Sequence, residues 1–263
     1  MASQIFPTYA TRSPEHTRLG DQGIPALVVR PEREGSHPGA LIQHGYGASK
    51  EDLLPLASAL AGHGFVVLLP DAWGHGERFP SSGPNWMTAL NADYAVEILR
   101  RTVDDVHEAL TALQGLPDVQ PDAILVGGFS LGAMVALIAG TEDPRVAGIF
   151  SASGSPLPDL MHAMPFGVAA PNPENERWAR EHDAAAHIGR LAPKPLLLQH
   201  GRRDDMVAVG GTLRLYEVAK PYYASHADRL ALMLYDHTHL VTEAQVRDGI
   251  NWLLPFFVEL RAA

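Results

Sequence analysis

Cysteine is absent from this 263-residue chain, which excludes a disulfide framework, a thiolate zinc site and a cysteine nucleophile. Positive charge is scarce. Twenty Lys and Arg stand against 30 Asp and Glu, a formal net charge of −10, and the densest basic groups are the pairs Arg100-Arg101 and Arg202-Arg203. Nucleic-acid phosphates need clustered cations, so no nucleic-acid partner is expected. No apolar run approaches the roughly 20 residues that span a bilayer, and Met1–Pro7 has neither a basic n-region nor a continuous apolar h-region. A cytoplasmic protein with no membrane partner is therefore expected. Despite 13 histidines there is no His-Glu-x-x-His, and neither a P-loop nor a full dinucleotide fingerprint occurs around Gly45-x-Gly47 and Lys50. No metal and no cofactor are expected.

What is present is 46% hydrophobic residues, evenly spread, enough for the core of a single α/β domain over residues 1–263. Short apolar runs at Ala40–Ile42, Phe65–Leu69, Ala123–Val126, Val146–Ser151, Pro195–Gln199 and Leu230–Tyr235 read as buried strands. They alternate with helical stripes. Ala95, Ile98, Leu99, Val103, Val106, Leu110 and Leu113 form one such stripe, and Val246, Ile250, Leu253 and Phe257 another, with Pro255 expected to kink or break the last helix. The alternation implies a mostly parallel sheet with helices on both faces. The region before Arg30 reads as antiparallel strands or a hairpin at the sheet edge.

Gly128-Phe129-Ser130-Leu131-Gly132 lies where the run Ala123–Val126 gives way to a helical pattern. A serine between two glycines at that junction reads as a nucleophile elbow, a tight strand-to-helix turn whose neighbours must be small. The hydroxyl then stands at a helix N-terminus, where the Leu131 N–H can stabilise an oxyanion. Upstream, Gln43-His44-Gly45-Tyr46-Gly47 ends a strand in a Gly-containing loop able to offer a second N–H. Downstream come His200-Gly201-Arg202-Arg203-Asp204-Asp205-Met206-Val207 and Asp236-His237-Thr238-His239. The chain order is Ser, Asp, His. His44 and His200, each before a glycine at a strand end, read as hydrogen-bonding residues that fix their loops.

At these residues the sequence resembles the α/β-hydrolase superfamily, which places serine, acid and histidine in this order after successive strands. The stretch from Gln43 through Asp71-Ala72-Trp73-Gly74-His75-Gly76-Glu77-Arg78 looks like the small bacterial esterases near the dienelactone-hydrolase and prolyl-oligopeptidase-like branches. The resemblance implies Ser130 as nucleophile, Asp204 as acid within His-Gly-x-x-Asp-x-x-Val, and His239 as base, with the N–H groups of Tyr46 and Leu131 as the oxyanion hole. Asp205 and His237 are the alternatives for acid and base. The implied activity is hydrolysis of small carboxylic esters, with an amidase or peptidase, or a non-catalytic binding protein of the same fold, as rivals.

Residues 155–193, rich in Pro and Ala, occupy the place where this superfamily inserts a cap. They read as a short lid or as a surface connection. Trp73, Trp86, Met161 and Phe166 are the expected pocket residues. Arg100-Arg101 reads as solvated surface, whereas Arg202-Arg203, in the acid's loop, could meet an anionic substrate.

Overall fold

The computed structural model describes residues 9–79, 92–156 and 172–259. Eight strands, β1 (Glu15–Leu19), β2 (Ile24–Val29), β3 (His37–Gln43), β4 (Val66–Pro70), β5 (Val119–Phe129), β6 (Val146–Ala152), β7 (Leu196–Gly201) and β8 (Leu230–Tyr235), form one sheet in the order β1-β2-β4-β3-β5-β6-β7-β8. β2 runs antiparallel to both β1 and β4, so the N-terminal hairpin is an edge; every other pairing is parallel. Successive residues of a buried strand serve opposite faces of the sheet. Leu41, Val66, Leu68, Ile124, Val126, Leu196 and Leu198 pack into one core, while Ala40, Ile42, Val67, Leu69, Leu125 and Leu197 pack into the other.

Helices cover both faces. On the first lie α2 (Ala92–Gln114) and α3 (Leu131–Glu142), on the second α1 (Leu54–Gly62) and α7 (Glu243–Glu259). α3 is buried on every side from Leu131 to Thr141, as a helix sandwiched between the sheet and α2 must be. The stripe read on α2 is the buried one: Ile98, Leu99, Val103, Val106, Leu110 and Leu113 all face the core. Among the described residues, α4 (Pro173–Glu181), α5 (Ala184–His187) and α6 (Val209–Ala219) follow between β6 and β8.

Of the kink or break expected at Pro255, the break does not occur, for α7 runs through it to Glu259. Pro255 is exposed, whereas Val246, Ile250, Leu253 and Phe257 are buried. Each buried side chain contributes about 1.5–3 kcal/mol, and together these outweigh the ~3 kcal/mol that an internal proline costs a helix. Among the described residues no helix is long and apolar enough to cross a membrane. The parallel strands place the ends of β3, β5, β7 and β8 along one rim of the sheet, where open α/β sheets bind their ligands.

Candidate active site

Ser130 follows β5 directly and precedes α3 with φ 56° and ψ −116°. Such a conformation costs a side-chain-bearing residue on the order of 1–3 kcal/mol. The turn is held by the Ser130 N–H, which donates to Ala152 O at 2.9 Å. It also explains both glycines, which are needed for space. A Cβ on Gly128 would lie 2.4 Å from the carbonyl carbon of Gly132, and a Cβ on Gly132 only 2.0 Å from the carbonyl oxygen of Gln43.

Three side chains from three strand ends meet here. His239 Nε2 lies 3.0 Å from Ser130 Oγ, and His239 Nδ1 lies 2.8 Å from Asp204 Oδ2. The Asp204 side chain is fully buried, and its Oδ1 accepts the backbone N–H groups of Met206 (3.0 Å) and Val207 (2.8 Å). Burial alone would raise its pKa. Hydrogen bonds from His200, His239 and the Val207 N–H outweigh that and hold the carboxyl well below the usual carboxylate range. Backbone bonds join the acid loop to the histidine loop, Arg202 N–H to Tyr235 O at 2.7 Å and Arg203 N–H to His237 O at 3.0 Å.

The alternatives fall elsewhere. Asp205 is exposed; His237 stacks on Tyr235 with ring centroids 5.8 Å apart, its Nδ1 2.8 Å from Thr238 O.

The loop after β3 passes beside Ser130, since a Cβ on Gly45 would lie 3.4 Å from Ser130 Cβ. His44 is completely buried. Its Nε2 accepts the Ala72 N–H at 2.9 Å, which leaves the proton on Nδ1 to donate to Gly45 O at 2.8 Å. That bond fixes the Gly45–Tyr46 peptide, whose N–H belongs to Tyr46. Burial lowers the His44 pKa to about 4, so the ring is neutral at pH 7 and keeps this tautomer. Leu131 is the first residue of α3, and its N–H has no acceptor within the helix.

Lys50, just beyond the loop, is 1% exposed and makes 2.8 Å bonds to Asp71 Oδ2 and Glu77 Oε1. Burial would lower its pKa, but Asp71, Glu77 and Glu51 together raise it above the ordinary lysine value. Asp71 also accepts the Lys50 and Glu77 N–H groups and leaves no room at Gly76, where a Cβ would sit 2.2 Å from its Oδ1. This cluster anchors the loop on β4. The sequence reading weighed Lys50 only as part of a phosphate loop. It missed this anchoring because the partners lie 21 and 27 residues away.

The described residues enclose a cavity of about 520 Å³ that reaches Ser130 and His239. Its walls are largely apolar and include Leu53, Leu56, Phe129, Phe150, Val241 and Val246. They come from separate segments, which is why no linear motif announced them. Trp73 does not line this cavity; it packs on Tyr94 at 6.2 Å between ring centroids and lies under the Arg101 guanidinium at 4.7 Å. Trp86, Met161 and Phe166 lie outside the described residues, as does 157–171 of the expected cap. The described part of that insertion includes α4, tied to α2 by Asn175 Nδ2 donating to Asp93 Oδ1 at 2.8 Å. Neither arginine of Arg202-Arg203 lines the cavity, and Arg203 pairs with Asp236 at 2.9 Å. Arg100 and Arg101 are substantially exposed and pair with Glu174 and Glu97, a solvated surface.

A family model described as the alpha/beta hydrolase family matches residues 41–257. Esterase YjfP of Escherichia coli (strain K12) is 31% identical over 216 residues, covering 77% of this chain and 83% of YjfP. YitV of Bacillus subtilis (strain 168) is 28% identical over 250 residues, 88% of this chain and 94% of YitV. Among solved structures, TT1662 from Thermus thermophilus superposes with a TM-score of 0.75 at 26% identity, covering 94% of this chain and 99% of TT1662. An acylaminoacyl peptidase from Pyrococcus horikoshii shares the fold with a TM-score of 0.71 at 15% identity, covering 95% of this chain and 42% of the peptidase.

Proposed function

Because the chain belongs to the alpha/beta hydrolase family and is a hydrolase of that type, we propose that it cleaves small carboxylic esters through an acyl-enzyme on Ser130. The observation that carries the proposal is the continuous contact Ser130 Oγ to His239 Nε2 and His239 Nδ1 to Asp204 Oδ2, at 3.0 and 2.8 Å.

A serine hydroxyl is a weak nucleophile until a neutral imidazole takes its proton. His239 Nε2 is placed to do so as Oγ attacks the ester carbonyl. The ionised Asp204 holds the Nδ1–H tautomer and stabilises the imidazolium that forms. The Tyr46 and Leu131 N–H groups receive the tetrahedral oxyanion. His239 then returns the proton to the leaving alcohol, and water activated by the same ring releases the acid. The apolar cavity beside Ser130 suits an uncharged acyl group of modest length. The mostly apolar wall favours an uncharged ester over an anionic one.

The test is Ser130→Ala together with a fluorophosphonate label mapped by mass spectrometry. Ester turnover is expected to fall by on the order of 10⁴-fold or more with the fold intact, and the label to sit on Ser130. Turnover near wild type in the folded variant, or a label on another serine, removes the proposal. A peptidase is the second reading, favoured by the shared fold with the acylaminoacyl peptidase. It requires that peptide amides be turned over by the wild-type protein and not by Ser130→Ala.

A further inference from the structure

His200, the penultimate residue of β7, lies four residues before Asp204 and is completely buried, yet both of its ring nitrogens have polar neighbours. Nδ1 lies 2.7 Å from Thr212 Oγ1, and Nε2 lies 2.9 Å from Val207 O and 3.3 Å from Asp204 Oδ2. Thr212, on α6 and 2% exposed, is in turn 2.6 Å from Gly154 O.

Counting hydrogens along this chain decides who donates. Gly154 O and Val207 O can only accept. The contact at 2.6 Å between Thr212 Oγ1 and Gly154 O needs a hydrogen between two oxygens, and the hydroxyl has one to give. Thr212 must then accept from His200, so Nδ1 donates. The facing carbonyl of Val207 requires that Nε2 donate as well. Three contacts need three hydrogens, and a ring donating from both nitrogens plus one hydroxyl supplies them.

We propose that His200 is a positioning residue: it donates from both ring nitrogens, to Thr212 on one side and to Val207 O and Asp204 on the other, and so fixes the carboxylate that orients His239. This rests on the ester-hydrolase reading of Ser130, Asp204 and His239. The physical logic is that Asp204 Oδ2 faces two imidazoles at once, His239 at 2.8 Å and His200 at 3.3 Å, while Oδ1 is held by two backbone N–H groups. With both oxygens occupied the carboxylate cannot rotate about its Cβ–Cγ bond without losing a partner. Through Thr212 the ring is moored to Gly154, beyond the end of β6, so the acid's orientation is referred to the sheet rather than to its own exposed loop.

The test uses His200→Ala, which removes both donors, and His200→Gln, whose side-chain nitrogen restores a donor near the position of Nε2. Rates are expressed per active site titrated with a fluorophosphonate. For His200→Ala kcat is expected to fall about 10- to 100-fold with KM within about 2-fold, the scale of a misplaced catalytic group. His200→Gln is expected to recover at least half of that loss on a logarithmic scale. Equal kcat in the two variants, or a kcat per titrated site unchanged in His200→Ala, overturns the proposal, because a residue that only supports the fold would lower the number of sites and not the rate of each. Nitrogen NMR of the wild-type protein gives an independent reading that needs no variant to fold. Both His200 ring nitrogens should show protonated shifts at pH 7, and an unprotonated one sinks the two-donor arrangement. Loss of turnover in Ser130→Ala with no effect at His200 removes this inference alone, whereas an active Ser130→Ala removes the hydrolase reading and leaves the NMR result to stand or fall by itself.

Discussion

Gly132 and the carbonyl of Gln43 are in such close approach that a Cβ on the glycine would lie 2.0 Å from the oxygen. The second glycine of the elbow is therefore fixed by the end of β3, the strand that delivers the Tyr46 loop, and Ser130 and that loop share one steric joint. Gly132→Ala must push the backbone of β3 or α3 aside. It is expected to destabilise the protein by about 1–3 kcal/mol and to lower kcat by disturbing that joint. Gly210→Ala is the contrast, an exposed position at the start of α6 with nothing within 4 Å of the added methyl. There the substitution should be neutral or stabilise by up to about 1 kcal/mol. Urea denaturation of both variants checks this, and equal losses would show that the approach of Gln43 is not what constrains the elbow.

Adjacent candidates for acid and base separate by mutation. Asp204→Asn keeps the shape but removes the charge that stabilises the His239 imidazolium, and kcat should fall by on the order of 10³- to 10⁴-fold. Asp205→Asn, at an exposed carboxylate away from His239, should leave kcat within about 2-fold. His239→Ala and His237→Ala should divide in the same way. The reverse ranking at either pair reassigns the residue.

His44 makes stability depend on pH. Its folded pKa of about 4 lies below the value of about 6.5 for an unfolded histidine, so between those values the unfolded chain binds the extra proton more readily. The contribution is complete above pH 6.5 and is lost as pH falls through 4, on the order of 3 kcal/mol in all. His44→Asn keeps a donor for Gly45 O without a titrating ring, so its stability should fall less steeply from pH 6.5 to 4. His75, also lowered by burial, contributes in both proteins and cancels in the comparison. Parallel profiles would show that His44 does not hold the neutral tautomer described.

The cavity sets the expected substrate profile. A volume of about 520 Å³ beside Ser130 favours acetyl to hexanoyl p-nitrophenyl esters over palmitoyl, with a misfitted methylene costing roughly 1–3 kcal/mol. Leu53→Trp fills part of the wall and should move the optimum toward shorter chains. Amides should be slower than matched esters, because the departing amine must be protonated by His239. A kcat/KM that climbs steadily through long-chain esters defeats the small-ester reading, and an amide that outruns its ester points to a peptidase.

Much of the fold was legible along the chain because its signals are local. Runs such as Leu196–Leu198 alternate between two cores, and the α2 stripe repeats at helical spacing, so burial follows directly from sequence order. The elbow was legible for the same reason, with strand, serine and glycines contiguous. The helix does not break at Pro255 because helix propensity is local, whereas the packing of Leu253 and Phe257 that carries it through is tertiary.

By itself, then, the sequence determined the alternation of strands and helices, the placing of Ser130 at a turn where only small neighbours fit, and the order of serine, acid and histidine. Tertiary structure alone decided which partners His44 and His200 bond, that Lys50 anchors its loop on Asp71 and Glu77, and that the cavity is walled by α1, β6 and α7 rather than by Trp73, while it brought Asp204, the acid the resemblance already implied, to His239. The physical reason is distance along the chain. A hydrogen bond of 3 Å between residues 109 positions apart leaves no periodic trace in either segment, and it exists only once eight strands have stacked their ends on one rim.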